Sequence, residues 1–123
     1  MNDLTITIQT IPDNMQRYDT AGDWQIAGDN CLITVSECVS DRYEQLIALH
    51  EIIEMLLCKW CGVSQEDVDT FDLGWQRERR SGEPGDNLSA PYAAQHAIAS
   101  ITERLAAPLL GVDWNAYEDA LAE

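Results

Sequence analysis

The residues best suited to chemistry are His50, Glu51 and Glu54, which lie together in the segment His-Glu-Ile-Ile-Glu. Residues four positions apart project from the same face of an α-helix, so His50 and Glu54 can bind the same metal ion. Glu51 is turned about 100 degrees away around the helix, where it can accept a proton from a metal-bound water molecule. This spacing predicts a zinc centre with His50 and Glu54 as ligands and Glu51 as the general base.

His50 and Glu54 also occupy positions that are normally apolar. From Ser40 to Gly62 the chain has the periodicity of a helix with one buried face, and both residues fall within that face. A buried carboxylate without a partner costs several kcal/mol or takes up a proton. A metal ion would compensate both side chains, and a hydrogen-bonded His–Glu pair in the core is the alternative. The apolar members of this face are Tyr43, Leu46, Ile47, Ile53, Leu57 and Cys61.

A third ligand has to come from another part of the chain, and His96 is the only other histidine. It lies in a predicted helix whose small residues would allow close approach to the first helix. One zinc ion held by His50, Glu54 and His96, with its fourth position open, is a catalytic type of centre rather than a closed structural one. The small residues are Ala93, Ala97 and Ser100.

The third ligand has alternatives at this stage. His96 points away from Ile98 and Leu105 on its helix, which would make it a partly exposed histidine beside Ser100 and Glu103. The ligand would then be an acidic side chain from the loop before this helix or from the segment after the first helix. The candidates are Glu83 and Asp86 in the loop, and Asp67, Asp69 and Asp72 in the segment.

The first third of the chain predicts the sheet that positions these helices. Residues 4–11 alternate apolar and polar side chains, which indicates a strand that ends before Pro12. Residues 24–27 and 32–35 flank Gly28-Asp29-Asn30, a sequence typical of a hairpin turn. We therefore expect three short strands that are mainly antiparallel.

Helix signals follow the strands. Ser40 suits the N-cap of the long helix and Gly62 its C-terminal stop. Ser64 and Asp67 resemble the capping box of a shorter helix, which runs into Arg77-Glu78-Arg79-Arg80. This cationic cluster could dock a carboxylate or a phosphate, or it could be a solvated helix end.

The last third of the chain predicts a loop and a second principal helix. Residues 81–90 are rich in Gly, Pro, Asp, Asn and Ser and form a loop long enough to be functional. Pro91 suits the first turn of the next helix, Pro108 should bend or end it, and residues 114–121 predict a short terminal helix. We expect an α+β fold in which a small antiparallel sheet of about three strands packs on two principal helices. The main apolar line of the second principal helix is Ile98, Ile101, Leu105 and Leu109.

These motifs together resemble small phage and prophage proteins with a zincin-like, minimal metallopeptidase core. The resemblance implies zinc ligands at His50, Glu54 and His96 and a base at Glu51. It implies a zinc-dependent hydrolase or, because Glu54 replaces the second histidine of His-Glu-x-x-His, a vestigial relative of one. It covers roughly residues 40–117 and rests on Leu49–Glu54, Glu83-Pro84-Gly85-Asp86, Ala90-Pro91-Tyr92 and Leu110-Gly111-Val112-Asp113-Trp114.

Length and composition add expectations about domain and compartment. The 123 residues predict a single domain over residues 1–123. Four cysteines embedded in apolar runs favour reduced thiols over a disulfide framework. Because no signal peptide or membrane span is visible, we expect a cytoplasmic protein, in the host cell if it is phage-encoded.

The charge suggests an alternative function. With 22 acidic and seven basic side chains, the formal net charge is −15, which disfavours direct binding to nucleic acid or to anionic membranes. The same charge suits an acidic DNA mimic that inhibits a host defence complex, of the anti-CRISPR or anti-restriction type. A structural or accessory phage protein without chemistry is a third hypothesis.

Overall fold

The computed structural model describes residues 3–122 as three strands and four α-helices. The α+β class, with two long helices beside a three-stranded sheet, is confirmed. None of the helices in this part of the chain has the length and apolar character needed to span a bilayer. The strands are β1 (Thr5–Ile11), β2 (Gly22–Ala27) and β3 (Asn30–Ser36), and the helices are α1 (Asp41–Cys61), α2 (Gln65–Arg77), α3 (Ala93–Ala106) and α4 (Trp114–Ala122).

The sheet is mixed rather than antiparallel, with strand order β1-β3-β2. β2 and β3 form the expected hairpin, in which Ala27 pairs with Asn30 and Gly28 takes a left-handed conformation with φ 62°. β1 runs parallel to β3, from Thr5 opposite Asn30 to Ile11 opposite Ser36. Residues 12–21 carry the chain from the end of β1 to the far edge of the sheet, so β3 is inserted between the first two strands. The alternation of apolar and polar side chains predicted β1 itself, but it did not predict that the chain crosses the sheet after β1.

α1 is bounded as its end signals predict. The Ser40 hydroxyl accepts a hydrogen bond from the Arg42 backbone N–H at 3.2 Å, and Gly62 ends the helix with φ 74°. The helix packs on α3 and on β2 and β3. In its last turn the buried cysteine is Cys58, whereas Cys61, which we expected in the buried face, is exposed. The cysteines at positions 31, 38, 58 and 61 are all free thiols.

The apolar pattern of α3 predicts the wrong buried face. The opposite face of the helix packs on the core. Its buried residues are His96, Ala99 and Glu103. The expected apolar line is exposed, by 52% at Ile98 and 90% at Leu109. The small side chain of Ala99 lets α3 lie close to α1, and polar groups on α1 compensate the burial of His96 and Glu103. Periodicity assigned the wrong face because it treats a polar side chain as one that needs water.

A buried carboxyl group joins α2 to two tyrosines from other segments. The Tyr18 hydroxyl donates to one oxygen of Asp72 at 3.1 Å, and the Tyr92 hydroxyl donates to the other. Burial raises the pKa of Asp72 to about 6, although the hydrogen bonds from Tyr92 and Tyr18 act in the opposite direction. Asp72 therefore favours its protonated form in the folded state more than in the unfolded chain.

We predict that Asp72→Asn changes how stability depends on pH. The folded pKa of about 6 exceeds the ordinary value of 3.8, so the stability that protonation contributes is lost as the pH rises through about 6. Relative to D72N, the free energy of unfolding of the unaltered protein should fall by roughly 2–3 kcal/mol from about pH 4 to pH 7. Urea unfolding followed by tryptophan fluorescence measures this difference. A constant offset between the two proteins across this range would contradict it.

Candidate metal centre

His50, Glu54 and His96 come together between α1 and α3, as the sequence predicts for zinc ligands. The Glu54 Oε2 atom lies 3.0 Å from His50 Nε2 and 2.9 Å from His96 Nδ1. Each residue offers a ligand atom within 4.8 Å of the other two. All three are buried, with exposures of 7%, 5% and 6% for His50, Glu54 and His96. The alternative expectation, that His96 is a partly exposed histidine, is therefore wrong.

Trp24 fixes the orientation of the Glu54 carboxylate. Its indole Nε1–H donates a hydrogen bond to Glu54 Oε1 at 3.1 Å, which leaves Oε2 directed at the two imidazoles. Trp24 is buried on β2, so the hairpin positions the central ligand. This role was not predicted from the sequence. The available signal was that a buried indole N–H needs an acceptor.

A hydrogen-bonded chain from α3 and α4 supports His50. The Nδ1 atom of His50 lies 2.7 Å from Glu103 Oε1, and the Tyr117 hydroxyl donates to Glu103 Oε2 at 2.5 Å. Metal-binding histidines usually direct their second nitrogen at such a carboxylate, which fixes the tautomer and the ring orientation. Neither supporting role was predicted from the sequence. For Glu103, the sequence signal was its position two helical turns after His96, on the same face of the helix.

The loop between α2 and α3 supports His96 in the same way. The Nε2 atom of His96 lies 3.1 Å from Asp86 Oδ1 and 3.2 Å from Glu83 Oε2. These two residues were alternative ligands in the sequence analysis, and they lie on the far side of His96 from Glu54. With His96 Nε2 they also form a second group of three potential ligands, but both carboxylates are exposed. The simplest role for Asp86 and Glu83 is to accept the Nε2–H while Nδ1 faces the centre.

The other acidic alternatives have partners away from the centre. Asp69 accepts hydrogen bonds from the Arg17 guanidinium at 3.1 and 3.2 Å, and Asp72 accepts from its two tyrosines. Asp67 is exposed in the first turn of α2, where its backbone N–H donates to the Ser64 hydroxyl. The structure therefore does not bring Asp67, Asp69 or Asp72 to the histidines.

Glu51 lies beside the centre without joining its hydrogen bonds. Its Oε2 atom is 3.8 Å from His50 Nε2, beyond hydrogen-bond distance. Burial, and then the charge of Glu54, raise the pKa of Glu51 well above its usual range. Glu51, His50, Glu54 and His96 all line a cleft of about 1120 Å³, so the centre is open to a small molecule or a peptide segment.

In this structure the centre is stabilised by hydrogen bonds from protonated histidines to carboxylates. Burial alone would lower the pKa of His50, but its hydrogen bonds to Glu103 and Glu54 raise it to about 11. Burial likewise opposes the protonation of His96, whose pKa is raised to about 10 by Glu54 and Glu83. Burial would raise the pKa of Glu54, yet the two histidines lower it to about 2. These side chains therefore form charge-assisted hydrogen bonds around one carboxylate oxygen.

The same atoms fit a zinc ion. Ligand atoms at about 2.0–2.1 Å from a tetrahedral zinc ion are about 3.3 Å apart. The two nitrogen–oxygen distances at Glu54 Oε2 are 3.0 and 2.9 Å, a few tenths of an ångström below that value, and the ligand atoms of the two histidines lie within 4.8 Å of each other. Two histidines and one glutamate are a donor set that catalytic zinc sites use. Both histidines also have the carboxylate partners that zinc-bound imidazoles usually have.

We predict that Gly85→Ala disrupts the centre through His96. A β-carbon at Gly85 would lie 2.5 Å from the His96 Cγ and Nδ1 atoms, so the ring or the loop has to move. We expect a loss of about 1–3 kcal/mol in the free energy of unfolding. Gly74→Ala is the matched control, because a β-carbon there meets nothing within 4 Å. In a helix that change should stabilise by about 1 kcal/mol.

Thermal unfolding of the two alanine variants tests this prediction. The Gly85 variant should unfold below the unaltered protein and the Gly74 variant above it. Equal stability of both variants would show that the loop does not pack tightly on His96.

Comparisons with known proteins add no family to this picture. No protein family, no characterised protein and no solved structure matches the chain. The function therefore has to be inferred from the geometry and chemistry of the centre itself.

Proposed function

We propose that the chain binds one zinc ion through His50, Glu54 and His96 and is a zincin-like hydrolase or a vestigial relative of one. The observation that carries the proposal is the position of Glu54 Oε2, which lies 3.0 Å from one imidazole nitrogen and 2.9 Å from another. The three side chains come from two helices and are separately oriented by Trp24 and by other carboxylates.

Protons and a metal ion are alternative occupants of this cluster of polar groups. Two imidazoles are surrounded by five carboxyl groups, so positive charge at the two rings is favoured, whether two protons or a divalent ion carry it. A divalent ion would replace the protons on His50 Nε2 and His96 Nδ1 and supply the same two positive charges in a buried site, where an unpaired carboxylate is costly. The five groups are Glu51, Glu54, Glu83, Asp86 and Glu103.

Glu51 is the residue placed for proton transfer. When bound, zinc would supply Lewis acidity toward a carbonyl group and toward a water molecule. Glu51 follows His50 directly, lines the same cleft as the ligands and approaches His50 Nε2 to 3.8 Å without a hydrogen bond to it. In its ionised form, which a bound cation would favour, the Glu51 carboxylate could take a proton from water in the cleft and deliver it to a leaving group. Amide hydrolysis is the reaction that this arrangement suits.

We predict that the purified protein binds one zinc ion per chain. Mutation should distinguish a ligand, whose loss removes the zinc, from the base, whose loss removes only the hydrolysis. Glu54→Gln should abolish stoichiometric zinc binding and the rise in melting temperature on adding zinc. Glu51→Gln should keep the zinc and lose any hydrolysis of a peptide mixture. Glu66→Gln, an equal charge change at an exposed position in α2, is the control.

Elemental analysis, thermal unfolding with added zinc and mass spectrometry of the peptide mixture give the three readouts. A chain that contains no zinc and shows no thermal shift contradicts the metal centre. Stoichiometric zinc with no hydrolysis by the unaltered protein identifies the vestigial form.

A second candidate function, inhibition of a host defence complex by DNA mimicry, is favoured by the net charge of −15. Such an inhibitor should block DNA cleavage by a restriction or CRISPR nuclease, and its effect should weaken steeply with added salt. Glu54→Gln should leave the inhibition intact, since the acidic surface does not depend on zinc. Uninhibited cleavage at low salt by nucleases of both classes would remove this candidate.

A further inference from the structure

Basic side chains are scarce in this chain but are concentrated at the cleft. Only seven of its residues are Lys or Arg, against 22 that are Asp or Glu. Three of those seven, Arg79, Arg80 and Arg104, line the same cleft as His50 and Glu51. Arg79 and Arg80 are adjacent in sequence, and both line the cleft.

The backbone at Arg79 has a conformation that is unusual for a residue with a side chain. Arg79 has φ 55°, and within residues 3–122 it is the one non-glycine residue with a positive φ. It occupies the position after α2 where helices usually end with glycine, and its N–H donates to the Gln76 carbonyl oxygen at 3.0 Å. Glycine would avoid a cost of about 1–2 kcal/mol at such a position. Residues held in this conformation cluster at ligand-binding sites.

Arg80 is held in place by an aromatic ring rather than by a carboxylate. Its guanidinium carbon lies 4.1 Å from the centroid of the Trp75 ring, and the Trp75 indole N–H donates to the Gly82 carbonyl oxygen at 3.1 Å. In the described part of the chain its closest carboxylate is Glu78, at 4.0 Å and largely exposed, which is a weak contact. A stacked guanidinium keeps its in-plane N–H groups available to a ligand.

Arg17 shows what an arginine with a structural role looks like in this fold. Its guanidinium donates to Asp23 at 2.8 and 3.0 Å and to Asp69 at 3.1 and 3.2 Å. Arg79 and Arg80 make no pairing of this kind within residues 3–122. Both residues line the cleft that contains the centre, which distinguishes them from a merely solvated helix end.

We propose that Arg79 and Arg80 form an anion subsite that binds a carboxylate of the substrate. This inference rests on the proposed function and specifies it: the substrate is an amide that carries a free carboxylate, such as an acidic or C-terminal peptide segment. A planar carboxylate matches the two parallel N–H groups of a guanidinium. Glu51, Glu83 and Asp86 line the same cleft, so a single negative charge is tolerated better than a phosphate dianion or a nucleic acid.

Hydroxamates test the subsite because they bind zinc and can carry a carboxylate at a chosen distance. Monohydroxamates of dicarboxylic acids with chains of about four to eight carbons are compared with the same compounds bearing an amide at the far end. We expect the acid of optimal length to bind at least about tenfold more tightly than its amide to the zinc-loaded protein. The double variant R79Q/R80Q should abolish this preference.

Arg77→Gln is the matched control, because Arg77 is exposed at the same helix end but does not line the cleft. With zinc present, equal binding of acid and amide at every length overturns the subsite. A preference that survives in R79Q/R80Q overturns it as well. Tighter binding of a phosphonate than of the matching carboxylate overturns the assignment of the ligand class.

A measurement that does not need zinc separates this inference from the metal proposal. Glutarate is titrated into the protein while the side-chain Nε–H signals of the arginines are followed by NMR. We expect the signals of Arg79 and Arg80 to shift with saturation while that of Arg77 does not. Unchanged Arg79 and Arg80 signals overturn the subsite, whereas absence of zinc in elemental analysis overturns the proposed function alone.

Discussion

The arrangement of the fold depends on one carboxylate oxygen, Oε2 of Glu54, that has to be compensated inside the core. Two imidazoles compensate it, one from the same helix and one from α3, at distances of 3.0 and 2.9 Å. The need for His96 at this point brings α3 against α1 and favours the small side chain of Ala99 at the contact. Trp24 holds the other oxygen, so the hairpin, α1 and α3 meet at one side chain.

Compensation continues outward from these three residues. The second nitrogen of each imidazole is next to a further carboxylate. For His50 this is Glu103, and for His96 it is Asp86 or Glu83 in the loop before α3. Glu103 in turn accepts from Tyr117, and within residues 3–122 every side-chain nitrogen or oxygen atom that is fully shielded from solvent has a hydrogen-bond partner. A polar network that is satisfied to this extent is rigid and favours a single packing arrangement. It also explains how α3 can present several large apolar side chains to solvent.

Much of this structure could be predicted from the sequence because the signals were local. Ser40 and Gly62 bound α1, Gly28 marks the hairpin, and the spacing of His50 and Glu54 places both side chains on one helix face. The parallel pairing of β1 could not be predicted, since it depends on how residues 12–21 cross the sheet. The buried face of α3 depends on partners that lie about fifty positions away in sequence. The supporting roles of Trp24 and Tyr117 could not be predicted either, because they also depend on contacts between different elements of the fold.

The long-range character of the network has a consequence for the order of events during folding. The groups that orient the centre range in sequence from Trp24 in the hairpin to Tyr117 in α4. A chain in which the last helix has not docked leaves Glu103 with an unsatisfied oxygen and His50 with a poorly held partner. An ion would therefore be captured with full affinity only after distant segments have closed on one another. Under the proposed function, tight zinc binding would therefore distinguish the completely folded chain from a partly folded one.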